Sequence, residues 1–313
     1  MSFVLSLSKG LKDRRYWFNL LGAFVIASLI GTAVVVIDLS YRNACNLVRP
    51  RRAPMTSTPA ERGLSFEPVT FTSTDGLRLA GWYIPSRNRA TIILCHGLGD
   101  NRVGMLPRAV LLAEHGYGSL LFDFRAHGES EGEMVTYGYA ETEDVLAAVD
   151  YLLARPDVDP ERIGILGGSL GAATAIRAAA HSSHLKAVVV ESAFTSLENE
   201  VACSFKAISG LPAFPFAPFT IAFAQWQTGL RISQVKPIDD IPSIAPRPVF
   251  IIHGTDDELI PAEQGLQLYE ATGEPKELWM VKGMAHESAL GIFPDEYEKR
   301  VIGFFDQALE VDY

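Results

Sequence analysis

Gly167-Gly168-Ser169-Leu170-Gly171 places a serine two residues from a glycine on either side, the G-x-S-x-G spacing of a nucleophile elbow. A short apolar run at 163–166 leads into it and an alanine-rich stretch, Leu170–His181, leads out, so a strand, a tight turn and a helix are expected there. A turn that sharp lifts the hydroxyl clear of the sheet, and a side chain at 167 or 171 would crowd neighbouring backbone. A serine hydroxyl is a weak nucleophile until a base takes its proton and a carboxylate orients that base. Both partners stand downstream in the order Asp, then His. His253-Gly254-Thr255-Asp256-Asp257 follows the apolar run 249–252, and Lys282-Gly283-Met284-Ala285-His286 follows the last strand-like run, 278–281. Of seven histidines, His286 has the position of a base. His127, His181 and His184 read as turn or helix-end residues, and His96 as a brace for its loop. Asp256 and Asp257 compete for the role of acid. Attack on a carbonyl also needs two donors for the oxyanion. The backbone N–H of Leu170, at the helix start, is one; that of Leu98, in Cys95-His96-Gly97-Leu98-Gly99, is the other.

The elements that must position these groups follow from periodicity. Two strands at 66–72 and 77–84 flank the turn Thr74-Asp75-Gly76. Then strands at Thr91–Cys95, 118–124, 163–166, 187–190, 249–252 and 278–281 alternate with helices at 105–115, 142–155, Leu170–His181, 261–271 and 295–309. Continuous apolar strands alternating with helices predict an α/β fold: a mostly parallel eight-stranded sheet covered on both faces. Loops at the carboxyl ends of such strands gather reactive groups.

Two stretches stand outside this pattern. An insertion at 196–246 carries Leu211-Pro212-Ala213-Phe214-Pro215-Phe216-Ala217-Pro218-Phe219. Its prolines argue against a regular helix, and it reads as a lid over an acyl pocket or a loop folded on the core. At the N-terminus no charged residue occurs from Tyr16 to Ile37. In helical form that run covers roughly 33 Å, against ~30 Å of hydrocarbon. It is longer than the apolar region of a signal peptide and lacks a convincing cleavage site, so a single-pass membrane anchor is expected. Four basic residues flank each end of the span. The side on which the body lies is therefore left open, with a slight lean toward an inside N-terminus. The division is an anchor at 1–49 with its helix at 16–37, a proline-punctuated linker at 50–65, and an α/β domain at 66–313.

Composition excludes other classes. The net charge is −10, yet residues 1–65 hold nine of the 27 Lys and Arg and three of the 37 Asp and Glu. So acidic a body repels nucleic acid, and no nucleic-acid partner is expected. Cys45, Cys95 and Cys203 match no metal spacing and form no disulfide framework.

The segments His96-Gly97-Leu98-Gly99, Asp123-Phe124-Arg125-Ala126-His127-Gly128-Glu129-Ser130, the Ser169 elbow, 253–261 and His286 resemble those of the α/β-hydrolase superfamily, most of all its serine-aminopeptidase-like branch with the monoacylglycerol-lipase-like enzymes. The resemblance spans roughly residues 66–309. It implies that Asp257, three residues beyond Gly254, is the acid, and that the Asp123–Ser130 turn supports the site from below. It also implies a serine hydrolase acting through an acyl-enzyme, with relatives that include esterases, lipases, thioesterases and peptidases. The aromatic insertion and the anchor point to an ester with an apolar acyl chain, or a lipid, as the small-molecule partner. No cofactor and no metal is implied. A peptidase or amidase is the alternative, although the sequence displays no acidic clamp for a substrate amine; a non-catalytic binding protein of the same fold would need a triad member lost.

Overall fold

The computed structural model describes residues 2–286 and 289–311, with side chains from Tyr16 onward. Its elements in chain order are helix α1 (Ser2–Val48), strands β1 (Glu67–Thr72), β2 (Arg78–Ile84) and β3 (Thr91–Cys95), helix α2 (Leu106–Glu114), β4 (Gly118–Phe122) and α3 (Glu141–Leu153). There follow β5 (Ile163–Gly168), α4 (Leu170–His181), β6 (Leu185–Glu191), α5 (Leu197–Ser209), α6 (Ala213–Thr228) and the short α7 (Pro237–Asp240). The chain closes with β7 (Val249–Gly254), α8 (Ala262–Ala271), β8 (Lys276–Val281), α9 (Ala289–Ile292) and α10 (Pro294–Ala308).

The eight strands form one sheet in the order β1-β2-β4-β3-β5-β6-β7-β8. β2 runs against both of its neighbours, and every pairing from β4 to β8 is parallel. Alternate residues of the central strands feed two cores. Ile93, Ile165, Val188 and Ile251 pack with α3 and α4 on one face. Leu94, Leu166, Val189 and Ile252 pack with α2 and α10 on the other. Side chains two residues apart share a face, so a strand buried on both faces needs an apolar residue at every position; this is why the central strands were legible as unbroken apolar runs.

Helix α1 departs from the sequence reading in length. It does not stop near Ile37 but continues unbroken to Val48. From Tyr16 to Ile37 almost all of its residues are exposed, and the stretch is long and apolar enough to cross a membrane. Beyond it, Ser40, Ala44 and Val48 are buried, one helical stripe spaced four apart. That stripe packs on α6: the Tyr41 ring meets Phe223 edge to face at 5.4 Å, and the Ser40 hydroxyl donates to the Phe216 carbonyl at 3.3 Å.

The expected linker at 50–65 is likewise held against the body. The Arg52 guanidinium donates to the carbonyls of His127, Gly128, Ser130 and Gly132 at 2.9, 2.9, 2.6 and 2.8 Å. The Asn101 amide donates to those of Ala53 and Pro54 at 3.0 and 3.2 Å.

The proline-rich insertion is also corrected. Residues 213–228 are helical despite Pro215 and Pro218. Phe214 has non-helical angles (φ −101°, ψ 133°), so the regular turns begin at Pro215. Proline is well tolerated in a first turn, where amide hydrogens lack helical partners. Pro218 would have bonded to the carbonyl of Phe214, which lies outside the helix proper. Helices α5 and α6 meet at 107° and form a cap over one end of the sheet.

Because Ser40–Val48 belongs to the packed body, a chain starting at Asp38 is expected to unfold at least about 5 °C above one starting at Arg51, through burial worth a few kcal/mol. Differential scanning calorimetry of the two chains measures this; equal midpoints would show that the stripe contributes nothing.

Candidate active site

Ser169 sits at the junction of β5 and α4 with φ 51° and ψ −116°, a strained conformation for a residue with a side chain. The two flanking glycines hold it there. A Cβ on Gly167 would lie 2.3 Å from the Gly171 carbonyl oxygen, and one on Gly171 would lie 2.2 Å from that of Cys95. α4 therefore touches the end of β3 backbone to backbone. Leu170 is the first residue of α4, so its N–H lies at the positive end of the helix dipole.

Asp257 and His286 come from the loops after β7 and β8. The carboxylate Oδ2 of Asp257 accepts from His286 Nδ1 at 2.8 Å. Its other oxygen accepts the N–H groups of Leu259 and Ile260 at 3.0 and 2.9 Å. Burial would raise the Asp257 pKa, but the hydrogen bond from His286 and that from the Ile260 N–H outweigh it and hold the carboxyl below the usual range. Asp256 is exposed and accepts from the Thr255 hydroxyl at 2.8 Å. The geometry thus separates the two neighbouring aspartates, and it is Asp257 that meets the imidazole.

The Leu98 loop is braced from β3 and from the turn after β4. His96 Nδ1 bonds the Gly97 carbonyl at 2.8 Å, and its Nε2 accepts the Phe124 N–H at 3.1 Å. His127 Nε2 accepts the Gly99 N–H at 3.2 Å. The turn itself is closed by Asp123. Its carboxylate accepts from the Arg102 side chain at 2.6 Å and the Glu129 N–H at 2.8 Å, and its carbonyl accepts from the Ser130 hydroxyl at 2.6 Å. The expected supporting role of Asp123–Ser130 thus has a concrete form: it holds the loop that carries Leu98.

Leu98, Ser169, Leu170 and His286 border one cavity of about 430 Å³. Tyr137 from the body and Glu200 and Ile208 from α5 close it, and the same three residues border a narrow apolar chamber behind the cap. Leu47 and Val48 of α1 form another wall of that chamber, opposite Thr220 and Ala224 of α6. Among the described residues no lysine or arginine lines either space.

Among the lining groups absent from the sequence reading, Val48 and Glu200 differ in what could have found them. Val48 carried a signal, the stripe Ser40, Ala44, Val48 at four-residue spacing after the span. Glu200 carried none: it is one acidic residue of several in the insertion. Burial raises the pKa of its carboxyl, against a hydrogen bond from Ser204, and its Oε2 has no hydrogen-bond partner among the described residues.

A serine on a β-strand–α-helix elbow beside an Asp-supported histidine, on a sheet in the order β1-β2-β4-β3-β5-β6-β7-β8, defines the class: an α/β-hydrolase. Residues 34–216 match the model of the X-Pro dipeptidyl-peptidase family (S15 family), and the chain belongs to that family within the α/β-hydrolase superfamily. It is 31% identical over 295 residues to the uncharacterized protein YfhR of Salmonella typhi, covering 88% of this chain and 92% of that one. With the uncharacterized protein YqkD of Bacillus subtilis it shares 32% over 237 residues, or 75% and 77% of the two chains. Among solved structures, an esterase of Pyrococcus furiosus superposes with a TM-score of 0.72 at 30% identity, over 84% of this chain and 98% of that one. The protein is a hydrolase of the α/β fold.

The buried histidines predict a pH response. Burial lowers the pKa of His96 to about 3 and lowers those of His127 and His253. The folded rings stay neutral where unfolded rings take a proton, so stability is lost as pH falls below about 6.5. For His96 the loss reaches about 2 kcal/mol at pH 5 and levels off near pH 3. Urea unfolding from pH 7 to 5 is expected to show a shallower fall in His96→Gln than in the natural chain; parallel curves would refute the assignment.

Proposed function

We propose that the protein is a membrane-anchored serine hydrolase that cleaves carboxylic esters with an apolar acyl chain through an acyl-enzyme. Ser169 is the nucleophile, His286 the base and Asp257 the acid. His286 takes the Ser169 proton as Oγ bonds to the ester carbon, and returns it to the departing alcohol as the C–O bond breaks. Water then attacks the acyl-serine, giving its proton to His286, and Ser169 recovers one as the carboxylic acid leaves. Asp257 stays ionised and stabilises the imidazolium. The N–H groups of Leu98 and Leu170 hold the oxyanion. Exposed and apolar from Tyr16 to Ile37, α1 serves as the anchor.

The observation that carries this reading is the 2.8 Å bond between Asp257 and His286, at a cavity that both His286 and Ser169 border. The likeness to an esterase supports the ester preference, and the apolar chamber behind the cap supports an apolar chain. A peptidase or amidase is the second reading. The family name favours it, and so does Glu200, an acidic group at the cavity that a substrate amine would meet.

Assays of the full chain in detergent on p-nitrophenyl esters of increasing acyl length test the proposal. Ser169→Ala should abolish turnover. Asp257→Asn should lower kcat by up to about 10⁴, while Asp256→Asn stays within about threefold. Activity that survives in Ser169→Ala, or equal losses in the two aspartate variants, would overturn the assignments. Faster cleavage of matched aminoacyl p-nitroanilides than of the esters would favour the amidase.

A further inference from the structure

Helix α6 lies alongside the lower part of α1 in a definite direction. Near its start, Phe216 accepts from the Ser40 hydroxyl at 3.3 Å, and Thr220 donates to the Ser40 carbonyl at 3.4 Å. Near its end, Gln227 accepts from the Cys45 thiol at 3.5 Å and from Arg49. Residue numbers rise together along the two helices, so they run parallel. The start of α6 therefore faces the apolar span and its end faces the body.

The level follows from helix geometry. Tyr16–Ile37 covers roughly 33 Å, about the hydrocarbon thickness of a bilayer, so the bilayer surface falls near Ile37 and Asp38. Phe214 precedes Phe216 by two residues and lies at that level. The cap presents only uncharged residues there, since none of the 24 residues from 207 to 230 is charged. Phe214 is 84% exposed and Phe219 43%. Large exposed aromatics on a charge-free segment mark a surface with an apolar partner.

We propose that the turn joining α5 to α6 and the first part of α6, with Phe214 and Phe219, form a second membrane contact seated in the lipid beside α1, through which apolar substrate reaches Ser169 directly from the bilayer. This rests on the anchored-hydrolase reading above. The two spaces along this path adjoin one another. Ile208, in the last turn of α5 next to the apolar tip, borders both the chamber behind the cap and the cavity of Ser169. Leu47 and Val48 also line the chamber, which therefore lies between anchor and cap. Trp226 is 75% exposed but lies toward the body end of α6, outside the contact.

The test uses the full chain reconstituted in phosphatidylcholine vesicles, with a long-chain ester in the bilayer and a short-chain ester in solution. Phe214→Asp with Phe219→Asp should lower the ratio of kcat/KM for the lipid-phase ester to that for the soluble ester by at least about tenfold. Trp226→Asp should change it by less than about twofold. An unchanged ratio, or an equal change in Trp226→Asp, would overturn the route. The contact itself is read without catalysis. In a Cys203→Ser background, which removes the exposed thiol, Phe214→Cys carrying an environment-sensitive fluorophore should be quenched by brominated lipid. A fluorophore reporting water would overturn the contact, and one buried by a second copy, seen as a dimer by analytical ultracentrifugation, would replace the bilayer with that copy. Loss of all ester activity with quenching retained would mark failure of the hydrolase reading alone.

Discussion

The backbone contact between α4 and the end of β3 governs the rest of the site. At Gly171 there is no room for even a methyl group against Cys95, and this closeness does two things at once. It sets the first turn of α4 beside the loop that carries Leu98, so Leu98 and Leu170 border one cavity. It also forces Ser169 into positive φ, which turns the residue outward from the sheet. Strain of this kind costs roughly 1–3 kcal/mol and persists only where the surroundings over-determine it. Here the surroundings are a sheet buried on both faces and an alanine-rich helix whose small side chains permit the approach.

The loops around the elbow are tied to one another rather than left to solvent. His96 and His127 brace the Leu98 loop, Asp123 closes the turn that carries His127, and Arg52 grips the same turn through four carbonyls. The segment after α1 is thus built into the support of the site. Buried polar groups held in such chains specify one arrangement because each unmade bond would be costly. The neutral state of the buried histidines belongs to the same scheme, since Nε2 of His96 must keep its lone pair to accept the Phe124 N–H.

The parts of this design that could be read in advance are those where one residue type has one physical reason. In Thr91–Cys95 every position after Thr91 is apolar because both faces of the strand are covered, and its bounds agree with the observed β3. Gly167 and Gly171 could be read because no other residue fits. Asp257 was separable from Asp256 only through family resemblance, and geometry supplies the reason in its contact with His286. What could not be read depended on partners distant in sequence. The charged Asp38 and Arg42 end the apolar run, yet they form an i,i+4 ion pair at 2.9 Å and the helix continues through them. The prolines of the insertion argued against a helix because their place in its first turn was not visible. Glu200 becomes notable only once α5 is laid over the serine.

The unbroken course of α1 from span to body has a mechanical consequence. A transmembrane helix answers a mismatch with bilayer thickness by tilting. On a flexible tether that tilt would be lost before it reached the domain. Here no hinge intervenes, and the stripe Ser40, Ala44, Val48 fastens the same rod to α6. With the span in a bilayer, a thinner membrane leans the rod and swings the cap with it; a thicker one sets both upright. The attitude of the cavity mouth to the lipid is then a property of the membrane as much as of the protein, and the identical chain would work at different settings in membranes of different composition.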